Sequence, residues 1–445
     1  MEQNLTVGSV PKTLFKFSLP ILGANLLQSL YNIVDMAVVG RLVGSAGLTA
    51  VSSATQLCYI ITALCTGLTM GGSVLVSQYR GAGDEGGIRR TVGTLFTLTA
   101  VVSAVITVFG LLIYRPVFVL MNVPAEAVAY AEGYMAVAVL GTFFVFGYNA
   151  VCSILRGLGD SRSPLFFVAV TTVVNVVLDL LLVGPLGMGT VGAAVATVAA
   201  QGISFLVALR KLRRRLNLRF TKETLRPDRH LAGLIFRIGL PSAVQMAVLN
   251  LSYLLVTGMF NAYGVVVSAA AGVGLKVNTL AAMPCWAVGS AVTSMAGQCM
   301  GAKKPDRAAS SCKMGMLLAL GLEVVVVGFV MLFPAPIIAF FDPDPAVVAE
   351  GVRYLRICCA VNFLPYAVMY VCDSFAIGVG SAWVAMLNSM FQSVVFRIPV
   401  SILLSQILAM GHVGLYWAEC ISPVLPAVVG LAFFLFGRWK KRSLV

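Results

Sequence analysis

Long apolar runs constrain this chain before any motif does. They fall near 14–38, 48–76, 91–113, 128–154, 164–184, 190–210, 235–260, 267–297, 314–334, 351–376, 384–407 and 413–436. A membrane-crossing helix needs about 20 mostly apolar residues, so each run is long enough to span a bilayer. The chain has 445 residues, which leaves only short connections between twelve helices. Composition agrees: 59% of residues are hydrophobic and 11% charged, against roughly 45–50% and about 25% in soluble domains. The expected fold class is an all-α polytopic membrane protein with twelve transmembrane helices. A soluble enzyme and a disordered chain are excluded.

The formal net charge is +14, which in a soluble protein would suggest nucleic acid. Here the basic residues follow topology instead. An even helix count puts both termini on one side. If that side is cytoplasmic, 25 of the 31 Lys and Arg lie there. Ten belong to a central linker region: Arg210, Lys211, Arg213, Arg214, Arg215, Arg219, Lys222, Arg226, Arg229 and Arg237. The tail adds Arg438, Lys440, Lys441 and Arg442. This asymmetry marks cytoplasmic loops, so the expected partners are the bilayer and a small molecule, not nucleic acid. The chain is expected to be a monomer in the cell (inner) membrane with both termini cytoplasmic. Lys12 and Lys16 before an apolar run imitate a signal peptide. That run carries Asn25, Gln28, Asn32 and Asp35 and has no small-residue cleavage site, so it reads as an uncleaved first helix. The ten cysteines sit mostly in apolar runs without a CxxC, which favours filler over a metal site or disulfides.

The chain also repeats itself. Leu19-Pro20 recurs as Leu240-Pro241, and Gln78, Gly81 and Ala82 recur as Gln298, Gly301 and Ala302. Gly157-Leu158-Gly159-Asp160 matches Gly378-Val379-Gly380-Ser381, and Leu186, Met188, Gly189 match Leu408, Met410, Gly411. The offset is 220–222 throughout. Six helices per half give both halves one orientation, so this is a parallel internal repeat, a transporter plan with the site between halves. The expected division is an N-terminal lobe, 1–210, a basic linker, 211–234, and a C-terminal lobe, 235–445.

Ionisable groups inside membrane helices are costly and point to function. Asp35, Asp179, Glu323, Asp373 and Glu419 qualify. Helix 1 carries Asn25, Gln28, Asn32 and Asp35 at helical spacing. Helix 5 carries Thr172, Asn175 and Asp179, and helix 6 carries Thr197, Gln201 and Ser204. Burial favours the neutral form of a carboxyl group, so acids in such stripes can exchange protons. Alternatively they bind a small cation such as Na⁺ with the Asn and Thr oxygens, or the stripes are polar glue between helices. Asp35, Asn175, Asp179 and Thr197 are the candidate cation site, supported by Gln28, Tyr31, Asn32, Asn149 and Gln201. Asp373, Tyr370 and Met283 are candidates for a substrate cavity, although such Met and aromatic residues more often serve packing. Glu323 reads equally as a helix-end acid facing a headgroup or a polar neighbour. At an offset of 222, Asn175 maps to Arg397 and Thr197 to Glu419. Neighbours in one half should have neighbours as counterparts, so Arg397 and Glu419 are expected to form a buried structural ion pair. The chain lacks GxxxxGK[ST] and HExxH and shows no nucleophile–base arrangement. No enzyme activity and no cofactor are expected, and energy would come from an ion gradient.

Several of these segments carry a family resemblance. They are Leu19-Pro20 with Tyr31-Asn32-Ile33-Val34-Asp35, Ser77-Gln78-Tyr79-Arg80-Gly81-Ala82-Gly83-Asp84, and Leu155-Arg156-Gly157-Leu158-Gly159-Asp160. Asn175-Val176-Val177-Leu178-Asp179 and Arg397-Ile398-Pro399 complete the set. Together they resemble the multidrug and toxic compound extrusion (MATE) family, nearest the prokaryotic branch with the DNA-damage-inducible members. The resemblance implies two six-helix lobes and export of cationic or amphiphilic compounds against H⁺ or Na⁺. It implies a first-lobe cation site at Asp35, Asn175, Asp179 and Thr197. The branch with a helix 7 acid is not matched: after Pro241 come Gln245 and Asn250 but no carboxylate. The alternatives are a flippase for lipid-linked precursors and, from another class, a channel.

Overall fold

The structure is a computed structural model that describes residues 4–121, 123–218, 221, 224–441 and 444–445. Arg219, Lys222 and Arg442, counted above among the basic residues, lie outside the described residues. The described chain is helical throughout, without strands. The first half comprises α1 (Val10–Leu42), α2 (Ser45–Ala82), α3 (Glu85–Leu120), α4 in two arms (Ala125–Leu140 and Thr142–Gly157), α5 (Arg162–Leu182) and α6 (Gly189–Leu216). The second comprises α7 (Arg229–Asn261), α8 (Val265–Gly301), α9 (Pro305–Leu332), α10 in two arms (Pro345–Val361 and Phe363–Gly378), α11 (Ala382–Ile407) and α12 (His412–Phe436). Ten of these are long and apolar enough to cross a membrane alone, and the two bent pairs complete the twelve.

The repeat extends to the backbone. Left-handed residues recur at the same offset: Gly44 and Gly264, Gly83 and Lys303, Gly159 and Gly380, Gly187 and Ala409, Gly189 and Gly411. Each pair ends or starts a helix at a matching connection. Lys303 and Ala409 adopt a conformation that favours glycine, at φ of 56° and 53°. Helix crossings repeat as well. On the α2–α4 crossing, Ser73 donates to the Ser153 carbonyl at 2.9 Å and Ser153 to the Thr69 carbonyl at 2.8 Å. On the α8–α10 crossing, Thr293 donates to the Ser374 carbonyl at 2.8 Å. Small hydroxyl residues of this kind let membrane helices approach closely and still satisfy their polar atoms.

Two spans that read as straight from the sequence are broken. α4 bends by 50° at Gly141 and α10 by 51° at Asn362. These positions are 221 residues apart, so the bend belongs to the repeat. At the second, the Asn362 amide donates to the Glu419 carbonyl at 2.6 Å. α11 contains two π-helical stretches, Phe391–Arg397 and Leu403–Ile407, on either side of Pro399. Pro399 has no N–H to give the helix ladder, which disturbs regular α pairing there.

The chain divides into two compact units, though not within the basic linker as the 1–210 and 235–445 division expected. Unit one holds Leu19–Ala243, and unit two holds Leu5–Ser18 with Val244–Leu444. Both transitions fall within a few residues of a Leu-Pro pair. In unit one, Gly67 and Gly71 of α2 receive the first part of α7: a Cβ on Gly67 would lie 2.5 Å from the Gly239 carbonyl oxygen. In unit two, Gln298 accepts from the Leu5 amide at 3.3 Å. Arg307 donates to the carbonyls of Leu5, Val7 and Gly8 at 3.1, 2.7 and 2.8 Å. Packing therefore assigns the start of each first helix to the other half's unit. The core of unit one gathers Val39, Ala54, Phe118, Ala131 and Val139, and that of unit two gathers Phe260, Tyr354, Cys358 and Tyr416.

Candidate functional site

The site in unit one is assembled from three helices at one-turn spacing. On α1, Tyr31 and Asp35 are four residues apart and both buried, and on α5 so are Asn175 and Asp179. Asn175 and Asp179 are fully buried. Thr197 of α6 joins the two helices. Its hydroxyl accepts from Tyr31 Oη at 3.2 Å and from Asn175 Nδ2 at 3.4 Å. The carboxyl groups of Asp35 and Asp179 are close enough to interact electrostatically.

The oxygens left over define the chemistry. Among the described residues nothing donates to Asp35 Oδ1, Asn175 Oδ1, or either oxygen of Asp179, all of them buried. Buried polar atoms are nearly always satisfied in native proteins, and exceptions call for an explanation. Ionised carboxylates only accept hydrogen bonds, so two side by side repel and cannot satisfy each other. One proton shared between them, or one hard cation bound by both, removes the conflict. The amide oxygen of Asn175 adds a neutral ligand of the kind Na⁺ takes.

Other expected residues distribute differently. Gln28 is half-buried, two turns before Asp35, and Asn32 is exposed. Asn149 donates back to Val145 of its own helix at 2.8 Å. Gln201 lies one turn beyond Thr197 with its buried Oε1 lacking a donor. On α5 it is Thr171, not Thr172, that faces α6: it donates to Ser204 Oγ at 2.7 Å, while Thr172 bonds back to Val168. Tyr134 of α4 lies within electrostatic reach of Asp35, Tyr31 and Asp179. The sequence reading missed it, because a tyrosine in an apolar helix looks like packing.

In unit two the polar groups are largely spent on structure. Asp373 is buried and accepts from Asn388 Nδ2 at 2.8 Å, and the same nitrogen reaches the Pro426 carbonyl at 3.1 Å. Tyr370 stacks on Tyr366, whose hydroxyl accepts from Trp286 at 2.8 Å. Met283 is buried on α8. Through Asn388 of α11, Asp373 of α10 is thus linked to α12. Glu323 is fully buried away from any helix end, and its polar neighbour is Cys285, whose Sγ donates to it at 2.9 Å. Arg397 and Glu419 form a buried ion pair. The Arg397 guanidinium also lies 4.1 Å from the centre of the Tyr253 ring.

The paired six-helix repeats and the acid-bearing first helix agree with one further finding. The sequence pattern of the MatE family matches residues 20–181 and 241–403. The chain belongs to the MATE family. The two matched segments begin at Pro20 and Pro241, the prolines of the repeat. "Probable multidrug resistance protein YpnP" of Bacillus subtilis is 28% identical over 99% of this chain and 98% of its own length. "Probable multidrug resistance protein NorM" of Thermotoga maritima is 25% identical over 99% and 95%. Among solved structures, a MATE transporter in its straight conformation superimposes with a TM-score of 0.90 at 25% identity, covering 98% of both chains. As a MATE protein the chain is a multi-pass membrane transporter of small molecules and not an enzyme.

Proposed function

We propose that this MATE transporter is a secondary antiporter that exports small cationic or amphiphilic compounds in exchange for H⁺ or Na⁺. The relatives named as multidrug resistance proteins support the substrate class. The observation that carries the coupling site is the group of buried oxygens without donors on Asp35, Asn175 and Asp179. A proton or Na⁺ entering this group draws Asp35 of α1 against Asp179 of α5. Pro20 lies fifteen residues before Asp35 on α1, and a proline lets a helix bend at modest cost where neighbours satisfy the freed carbonyls. Ion binding then favours one position of α1 and substrate the other. Exchange requires that differential affinity between two states. The working protein is read as a monomer in the inner membrane, its termini and basic linker on the cytoplasmic side.

The test is cationic-dye transport in proteoliposomes under an imposed pH gradient without Na⁺, then under a Na⁺ gradient alone. Dye movement should follow one of the two gradients. It should fall to background in Asp179→Asn while folded protein remains in the membrane. Gradient-driven transport that survives Asp179→Asn removes the site. Dye movement under neither gradient removes the antiport reading for this substrate class.

A further inference from the structure

The basic residues of unit one do more than mark a side of the membrane. A cleft of about 630 Å³ is lined by Arg89 and Arg90 from the start of α3 and by Arg226 and Arg229 from the linker. Asp228 is the only acid among the described residues of its wall, and its Oδ1 accepts from the amides of His230 at 2.8 Å and Leu231 at 3.2 Å, capping α7. Among the described residues none of these four arginines has a carboxylate partner. A second hollow of about 580 Å³ shares Asn217 and Leu218 with the first and is lined by Arg210, Arg213 and Arg214 at the end of α6.

An apolar hollow adjoins this arginine-lined space. Leu209 belongs both to the second hollow and to a third of about 280 Å³, whose walls include Phe96, Phe143, Phe205 and Leu225. On α6 the outward residues just before Arg210 are apolar, with Ile203 44% and Leu206 60% exposed. The linker wall is pinned in place. Thr97 of α3 donates to the Leu225 carbonyl at 2.6 Å, and the Asp228 amide donates to Thr94 at 3.1 Å. The groove is thus formed by an apolar hollow beside a cluster of guanidinium groups at the helix ends.

We infer that this groove in unit one binds an anionic phospholipid of the leaflet facing the linker. The arginines would hold the headgroup phosphates, and the groove lined by Phe143, Phe205 and Leu209 one acyl chain. Guanidinium groups recognise phosphate by paired hydrogen bonds. Basic pockets beside membrane helices are suited to headgroups with more than one phosphate. A free phosphate compound would use the arginines but would leave the apolar groove unfilled.

The experiment uses the full-length protein in neutral detergent. Tetraoleoyl diphosphatidylglycerol, dioleoyl phosphatidylglycerol and dioleoyl phosphatidylcholine are titrated separately, with inorganic pyrophosphate as a competitor. Binding is read as lipid retained in native mass spectrometry and as a rise in unfolding temperature. The anionic lipids should bind, diphosphatidylglycerol most tightly, and phosphatidylcholine should not. Arg210→Gln/Arg214→Gln/Arg226→Gln should lose affinity by ~10-fold or more, and the corresponding triple Lys variant should keep most of it. Lys12→Gln/Lys16→Gln/Lys440→Gln, which removes as many charges elsewhere, should bind like the parent. Should the Gln variant fail to fold, Leu209→Trp fills the apolar end: it should weaken the long-chain lipid and leave a dihexanoyl analogue unaffected. Unchanged binding in the Gln or the Trp variant overturns the proposal. So does an equal loss in the control triple, which means general surface charge. Displacement by pyrophosphate at comparable concentration also overturns it, since the ligand is then a soluble phosphate compound.

Discussion

Thr197 offers one oxygen to two buried donors, Tyr31 and Asn175. Thr197→Val leaves both without an acceptor, and each buried orphan costs ~1–3 kcal/mol. Its unfolding temperature in detergent should therefore drop clearly, whereas Thr197→Ser, which keeps the oxygen, should stay near the parent. The Arg397–Glu419 pair responds differently. Removing one partner strands a buried charge, at ~3–5 kcal/mol, while replacing both with apolar residues is often neutral. Arg397→Met and Glu419→Leu should each destabilise strongly, and the double variant should recover most of the loss. Additive losses in that thermal-unfolding cycle would mean the two residues do not act as a pair. Much of this scale was legible because helical spacing is periodic: Tyr31 with Asp35 and Asn175 with Asp179 share faces wherever the helices go. The offset of 222 set Arg397 opposite Glu419 from Asn175 and Thr197. Periodicity does not say what a polar face meets. Asn32 and Asn149 fit stripes on paper, yet one is exposed and the other bonds to its own helix. An amide has that local option and a buried carboxylate does not.

At the scale of single elements, α4, α10 and α11 depart from straight α-helices. A hydropathy run cannot register a bend, because bending removes no apolar residue. Only Gly141, Asn362 and Pro399 mark the breaks, and each residue type is common elsewhere in the chain. Asn362 fixes one bend through the Glu419 carbonyl, beside the Arg397 ion pair. Asn362→Leu should cost ~1 kcal/mol in thermal unfolding, the net worth of a typical hydrogen bond. The α2–α7 contact is less forgiving. A side chain on Gly71 would run into the Ile235 carbonyl of α7, and backbone cannot step aside as a side chain can. Gly71→Val should sharply reduce the monodisperse fraction on size-exclusion chromatography, with Gly71→Ala intermediate.

For the whole molecule, the parallel repeat was readable from four motifs at offsets of 220–222, and the left-handed residues follow the same offsets in the backbone. The division into units was not readable, since a Leu-Pro pair advertises a bend and says nothing about which neighbours the helix joins beyond it. The contacts that settle it are distant in sequence. Arg307 clasps three carbonyls of the Leu5–Gly8 segment, so Arg307→Gln should open trypsin cleavage at Lys12 and Lys16 that the parent resists. Because Arg229–Ala243 completes unit one, that unit cannot close on the ribosome until the second half has begun to emerge. Leu5–Ser18 waits longer still, without its host until α8 and α9 are made. A chain cut in the linker would therefore yield two fragments, each holding a piece of the other. A half-length ancestor packed in this way would close by lending the start of its first helix to a second copy and borrowing one in return.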